Sequence, residues 1–294
     1  GRRMKFSRAV FLANADRQKM VVDWQSVLGA TILEGTEPSA SDGTALVVTS
    51  VGDVFQLNAS KIGRGGVELQ PTTTLAVDDK TTTPIGAARM KDGRVAVWSA
   101  GESPKLWIVS NEAAPRETKL DLPLQTAPAR LADGLVLPLP GRLRLAARNA
   151  NAAPAQEWTA PVQAGAAPVW KGIAAVNDTS LVALDGTGRL MLVQLRSNPK
   201  PHLAEVSKWD AGQPVDVPLA IAGDRAIVAT SNGRVFALDT QSLEPVGQFD
   251  LPRPAARSAV VIGSRVLIDS GREVLVCLDS ATQMNKEESR PRGV

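Results

Sequence analysis

Residues 218–239 read PLAIAGDRAIVATSNGRVFALD, and this stretch decides the fold. Ala220–Ile221 lead in, Gly223–Asp224 turn the chain, and Ala226–Thr230 form an apolar run rich in β-branched residues. Asn232–Gly233 turn it again before Val235–Leu238. Asn-Gly between two apolar runs is a strong hairpin signal, because the tightest hairpin turns need positive φ at both central residues. The stretch reads as three short strands joined by two tight turns.

The same sentence recurs along the chain. Aligned on the second turn, the copies are TALVVTSVGDVFQL (44–57), RVAVWSAGESPKLWIV (94–109), GLVLPLPGRLRLAA (134–147), SLVALDGTGRLMLVQL (180–195), AIVATSNGRVFAL (226–238) and RVLIDSGREVLVCL (265–278). Their turn glycines are Gly52, Gly101, Gly141, Gly188, Gly233 and Gly271, at intervals of 49, 40, 47, 45 and 38. A period of roughly 40–50 residues is that of a four-stranded propeller blade. Five lead-ins open on a proline (Pro84, Pro128, Pro168, Pro218, Pro254), and five copies are followed by a further extended segment. Those segments are Val67–Gln70, Thr118–Leu122, Gln156–Thr159, Val206–Asp210 and Val246–Leu251. Three carry a large aromatic, Trp158, Trp209 and Phe249, whose default role is to fill the space between adjacent sheets. A ligand platform is the alternative role.

The N-terminal VFLANADRQKMVVDWQ (10–25) aligns without gaps on VFALDTQSLEPVGQFD (235–250) and sets Trp24 opposite Phe249. The expectation is an all-β, single-domain β-propeller of four-stranded antiparallel blades over 1–294. It has six complete motif copies, in six or seven blades. Repeats fall near 32–71, 84–122, 128–160, 168–210, 218–251 and 254–279. Strands in 8–25 close the ring against the last sheet, with 18–25 beside Val274–Asp279, and 280–294 form a polar tail. Pairing the two ends removes exposed sheet edges. Val109–Ala114 and Asp178–Leu184 lack sustained helical periodicity.

The Pro lead-in, Gly223-Asp224-Arg225, Asn232-Gly233-Arg234 running into Val235–Asp239, and the following strands with Trp158 and Trp209 resemble the PQQ-like, quinoprotein-type propeller repeat. The resemblance spans about residues 10–279, with the third and sixth copies departing most: Pro138 and Pro140 stand in strand positions, and Ser270-Gly271 makes the turn. It implies a propeller that is either a quinoprotein dehydrogenase or a cofactor-free scaffold, such as outer-membrane assembly lipoproteins. Residues 228–239 are also similar to bacterial surface-layer propellers, and no Gly-His…Trp-Asp pairing of the WD40 type occurs.

The chemistry points away from catalysis. Quinoproteins of this type commonly carry a vicinal disulfide beside the cofactor, and this chain has one cysteine. That residue, Cys277, lies in the apolar run VLVCLD and reads as a buried, inert thiol. Calcium needs about six to eight oxygen ligands. Asp178 and Asp185-Gly186 come closest, yet Asp-Gly there, as at 42–43, 92–93 and 133–134, reads as turn chemistry. Gly63–Gly66 and Gly186-Thr187-Gly188 open no helix, so they make no phosphate cradle. The lone His202 reads as an exposed loop residue; one histidine without a cysteine pair builds no zinc site, and no Gly-x-Ser-x-Gly elbow supports a hydrolase triad.

The net charge of +3 is local, since residues 1–20 hold six basic side chains against Asp16 alone. A near-neutral body without tyrosine is no footprint for nucleic acid. Arg2–Lys5 before Ala9–Ala13 resembles a signal peptide whose apolar part is too short. No run reaches the roughly 18 apolar residues of a membrane span; the chain starts at Gly1, which leaves room for an upstream anchor. The sequence therefore predicts a non-catalytic scaffold that binds protein partners in the cell envelope or periplasm. It predicts no catalytic, cofactor or metal residues. A quinoprotein oxidoreductase, another channel-site enzyme and a small-ligand sensor are the alternatives.

Overall fold

The computed structural model describes residues 24–25, 30–36, 44–58, 65–66, 69–76, 85–90, 92–99, 103–111, 113–132, 134–146, 156–162, 167–198, 200–271 and 274–279. These residues are strands and turns, with no helix among them. The strands make five four-stranded sheets, one three-stranded sheet and one short parallel bridge. They fall into two compact units, Gly1–Gly101 with Lys105–Lys119, and Glu102–Pro104 with Leu120–Val294.

The first unit holds two antiparallel four-stranded sheets. One is built from β2 (Ile32–Gly35), β3 (Thr44–Thr49), β4 (Asp53–Asn58) and β6 (Thr73–Thr74). The other is β7 (Ile85–Arg89), β8 (Val95–Ser99), β9 (Lys105–Val109) and β10 (Arg116–Lys119). Leu46, Val48 and Val54 of one meet Val95, Val97, Trp107 and Val109 of the other in a closed apolar layer. β1 (Trp24–Gln25) pairs in parallel with β5 (Gly65–Gly66).

In the second unit the sheets follow in chain order. The first comprises β11 (Ala129–Leu131), β12 (Gly134–Leu139), β13 (Arg142–Ala146) and β14 (Gln156–Thr159). Next come β15 (Trp170–Ala175), β16 (Ser180–Asp185), β17 (Arg189–Arg196) and β18 (His202–Asp210). Then β19 (Ala220–Ala222), β20 (Arg225–Ala229), β21 (Arg234–Asp239) and β22 (Pro245–Asp250) are followed by β23 (Val260–Ile262), β24 (Arg265–Asp269) and β25 (Leu275–Asp279). Alternate residues of each strand face opposite neighbours. Leu181, Ala183, Met191 and Val193 therefore pack back on Leu131, Val136 and Leu143, while Val182, Leu184, Leu190 and Leu192 pack forward on Ala226, Val228 and Leu238. Strands buried on both faces read as continuous apolar runs, which is why SLVALD and RLMLV carry no polar alternation.

The aromatics expected between sheets are there. Trp158 lies 6.3 Å from Trp170, Trp209 meets Phe236 edge-on at 4.9 Å, and Phe249 packs on the layer between the last two sheets.

Several expectations change. Asn232 does not adopt positive φ; Gly233 alone does, at 91°. The Gly233 N–H donates to Thr230 O at 3.0 Å and Thr230 N–H to Arg234 O at 2.8 Å. That is a three-residue loop ending in a left-handed glycine, the form whose extra residue bulges the strand. The strand that pairs on the outside of β4 is Thr73–Thr74; of the expected segment Val67–Gln70, residues 67–68 lie outside the described residues and 69–70 are not strand. Of the expected closing strands in 8–25, residues 8–23 lie outside the described residues, and Trp24–Gln25 pair with Gly65–Gly66 instead of beside Val274–Asp279. The polar tail 280–294 and Gly101 also lie outside the described residues.

Pro138 sits within β12 without breaking it. Its carbonyl accepts from Gln125 N–H at 2.9 Å, on the side where β11 has already ended. A strand residue's N–H and C=O point the same way, so the missing N–H costs no bond to β13. Pro140-Gly141 then makes a two-residue turn between Leu139 and Arg142, with Gly141 at positive φ, which suits proline followed by glycine.

Candidate functional site

Among the described residues, most buried polar side chains gather at the turn between the second and third strands of five of the sheets. The residue that opens this turn is Thr49, Ser99, Asp185, Thr230 or Ser270, and every one of them is buried. Backbone amides shut away from water must find partners, and these side chains supply them. Thr49 Oγ1 accepts from Asp53 N–H at 3.2 Å and Ser99 Oγ from Lys105 N–H at 3.1 Å. Thr230 Oγ1 donates to Arg234 O at 2.8 Å, and Ser270 Oγ donates to Arg253 O at 2.7 Å. The third copy does without one, because Leu139 enters a two-residue turn. Reading by glycine position missed this feature; its signal is a Thr or Asp three residues before Gly52, Gly188 and Gly233.

The turn also fastens the sheet's outer end. Gly52 O accepts from Leu75 N–H at 2.9 Å, Gly141 O from Ala160 at 3.1 Å, Gly188 O from Ala211 at 3.1 Å and Gly233 O from Leu251 at 2.8 Å. Each donor directly follows the fourth strand of its sheet. These contacts are architectural, and they recur with the repeat.

Asp185 is the most elaborate case. Its Oδ1 accepts from Thr187 N–H at 2.9 Å, Thr187 Oγ1–H at 2.7 Å and Arg189 N–H at 3.1 Å. Its Oδ2 accepts from Arg189 Nε at 2.8 Å and Nη2 at 2.7 Å. Arg189 Nη1 reaches Pro161 O at 3.5 Å. A carboxylate so occupied offers nothing to a metal ion. Asp178, its expected companion, sits in the turn at the opposite end of β16, so the structure does not bring the pair together. Asp92-Gly93 and Asp185-Gly186 both behave as turn residues: Asp92 Oδ1 accepts from Arg94 N–H at 3.2 Å.

Beside Arg189 lies a cleft of about 370 Å³, lined by Pro161, Arg189, Met191, Glu205, Lys208, Trp209 and Asp210. Met191 is its buried floor. Register places Arg189 opposite Asp210 and Met191 opposite Lys208. A second charged group, Arg142 and Arg144 with Asp121 and Glu157, closes on itself with contacts of 2.5 to 3.1 Å. The hydrogen bonds from Arg144 hold the Asp121 carboxyl below the usual carboxylate range. Two cations matched to two anions leave no charge for a ligand.

His202 opens β18, opposite Arg196, rather than lying in a loop, and it is half-buried with Nδ1 2.8 Å from Lys200 O. Cys277 is exposed, not buried. Its neighbours Val276 and Leu278 turn into the core, so the strand's two-residue period sends the thiol to the other face. On that face Val260, Ile262 and Leu275 are 57%, 61% and 61% exposed. No group of three or more His, Cys, Asp or Glu side chains gathers among the described residues.

Within each unit, successive antiparallel sheets packed face to face through apolar layers define a β-propeller-type fold. Solved structures agree. The chain is similar to BamB from Moraxella catarrhalis (12% identity, 86% of this chain and 76% of that one, TM-score 0.59). It is also similar to a chain of a mitotic checkpoint complex (11%, 84% and 78%, 0.56). A third similar structure is BBS1N in complex with ARL6DN (13%, 83% and 76%, 0.54). No protein-family model matches the chain, and no curated protein does. No described helix is long and apolar enough to cross a membrane.

Proposed function

We propose that this chain is a non-catalytic, cofactor-free propeller of the PQQ-like kind that presents loops and blade edges to protein partners, working in the cell envelope. One observation carries the reading. The buried side chains of Thr49, Ser99, Asp185, Thr230 and Ser270 are taken up by the turns they open, and the buried pair Asp185–Arg189 is bonded from within the fold, the carboxylate by Thr187 and Arg189 and the guanidinium by Asp185 and Pro161. General acid–base or nucleophilic chemistry needs side chains with capacity to spare and a reacting atom within reach. Distant fold relatives lend support: one solved structure is a partner-bound BBS1N and another a checkpoint assembly. The envelope placement draws support from the likeness to BamB.

Two measurements test this. Crosslinking the full chain in its native host and identifying what it captures should return a reproducible protein partner from the envelope fraction. Titration with PQQ and Ca²⁺, coupled to a dye-linked dehydrogenase assay, should give neither saturable heat nor turnover. Saturable binding accompanied by turnover overturns the reading.

A further inference from the structure

β18 (His202–Asp210) is the longest strand described and the outermost in its sheet, pairing only with β17. An edge strand carries unpaired N–H and C=O groups that can template another strand. A bulge opposite Leu192–Val193 interrupts the ladder at Val206, which leaves two regular stretches of edge, His202–Glu205 and, beside the cleft, Ser207–Asp210. The cleft has Met191 beneath and Glu205, Lys208 and Asp210 around it. Its volume of about 370 Å³ falls at the small end of binding pockets, roughly 300–1,000 Å³.

Charge decides what fits. Arg189 is the deepest cation there, but its charge is already matched by the buried Asp185 carboxylate, which accepts from Nε and Nη2, while Nη1 reaches Pro161 O. The remaining charges are Glu205, Asp210 and Lys208. Glu205 and Lys208 form no ion pair among the described residues, and Asp210 accepts only from Gly212 N–H at 2.8 Å. Two carboxylates against one exposed lysine leave the cleft net negative. An apolar floor below a carboxylate rim suits a side chain with an aliphatic stem and a cationic head.

Resting on the interaction reading above, we propose that this cleft receives the arginine or lysine side chain of an extended protein segment, which adds as a strand along Ser207–Asp210. Strand addition supplies main-chain bonds and the pocket supplies selectivity. Lys208 acts against the incoming cation and protects the edge when no partner is bound.

The test pans a randomised library of seven-residue peptides against the full chain. Selected peptides are measured by fluorescence anisotropy and by amide exchange. Selected sequences should carry Arg or Lys at one fixed position and slow exchange at 207–210. They should bind the Glu205→Gln/Asp210→Asn double variant at least tenfold more weakly. Lys208→Gln should bind them severalfold more tightly, a gain that mere structural damage would not produce. Each variant should melt with the parent, since all three side chains sit on the cleft rim. An empty selection, selected peptides without a fixed basic residue, or unchanged binding by both variants overturns the proposal. A native partner that ignores the double variant would also remove this cleft while leaving the scaffold reading intact. Absence of any native partner, with peptides still selected, would do the reverse.

Discussion

Two neighbouring sheets solve one turn in two ways. Asp185-Gly-Thr-Gly-Arg189 and Thr230-Ser-Asn-Gly-Arg234 share a backbone: the glycine N–H donates to the opening residue's carbonyl, at 3.2 and 3.0 Å, and both glycines have positive φ. The first turn is held by a buried ion pair and is backed by the cleft wall. The second is held by neutral hydrogen bonds, Thr230 Oγ1 donating to Asn232 Oδ1 at 2.6 Å and Asn232 Oδ1 accepting from Arg234 N–H at 3.2 Å. Its arginine swings out to Asp250 at 3.1 Å, where both side chains are exposed. Geometry is thus a property of the repeat, while the chemistry that secures it differs from copy to copy.

The largest effect that would break this comparison is at Asp185. Asp185→Ala strands Arg189 as a buried charge and should cost about 3–5 kcal/mol, read from the urea midpoint of the full chain. A loss below 1 kcal/mol would mean the pair is no firmer than its counterpart. Next is Gly188→Ala. At φ 97° its Cβ would lie 2.1 Å from Gln213 O, so strain adds to overlap with backbone, about 2–4 kcal/mol. Gly233→Val should cost less, about 1–3 kcal/mol, because at φ 91° the nearest atom to its Cβ is Arg253 C at 3.3 Å. An unchanged melting temperature would remove Gly233 from the turn described.

Thr230→Val sharpens the contrast with Asp185. It removes the one hydroxyl proton that Asn232 Oδ1 and Arg234 O share at a buried site and should cost about 1–2 kcal/mol, measured in the same denaturation series. The smallest effect is acid dependence at Asp239, whose carboxyl is held below its ordinary range by the N–H groups of Ser242 and Gln241. A depressed folded-state value means its contribution is complete above the ordinary carboxylate range near 4 and disappears as pH falls through the folded value. Asp239→Asn should therefore lower the melting temperature slightly at neutral pH and shallow its fall on acidification, the two proteins converging at low pH. A parallel fall in both proteins would count against it.

Sequence reading did best where a strand is buried on both faces and its turn is short. The fourth and fifth copies are the cleanest examples, and their register follows the glycine alignment. Outer strands were harder: Val67–Gln70 looks more strand-like than Thr73–Thr74, because an exposed edge imposes no apolar pattern on its residues. Cys277 misled for a related reason. VLVCLD has the continuous apolar character of a doubly covered strand, yet only Val276 and Leu278 are buried. The cleft left no trace in the sequence at all. Its walls come from residues 161, 189–191 and 205–210, and only pairing of β17 with β18 brings them together.

The carbonyl of the turn glycine, bonded to the first residue beyond the fourth strand, separates where the chain is tied from where it has slack. Between the two tied points runs the connection from third to fourth strand; in the second sheet of the second unit it is residues 197–201, whose described members are exposed. Added length there lengthens a loop whose ends stay anchored, and doubling a loop costs only about 0.6 kcal/mol. One residue added inside 185–189 would instead displace the glycine and release the strand it holds. The uneven spacing of the repeats follows, and residues 197–201 become the natural place to graft a tag or a foreign epitope.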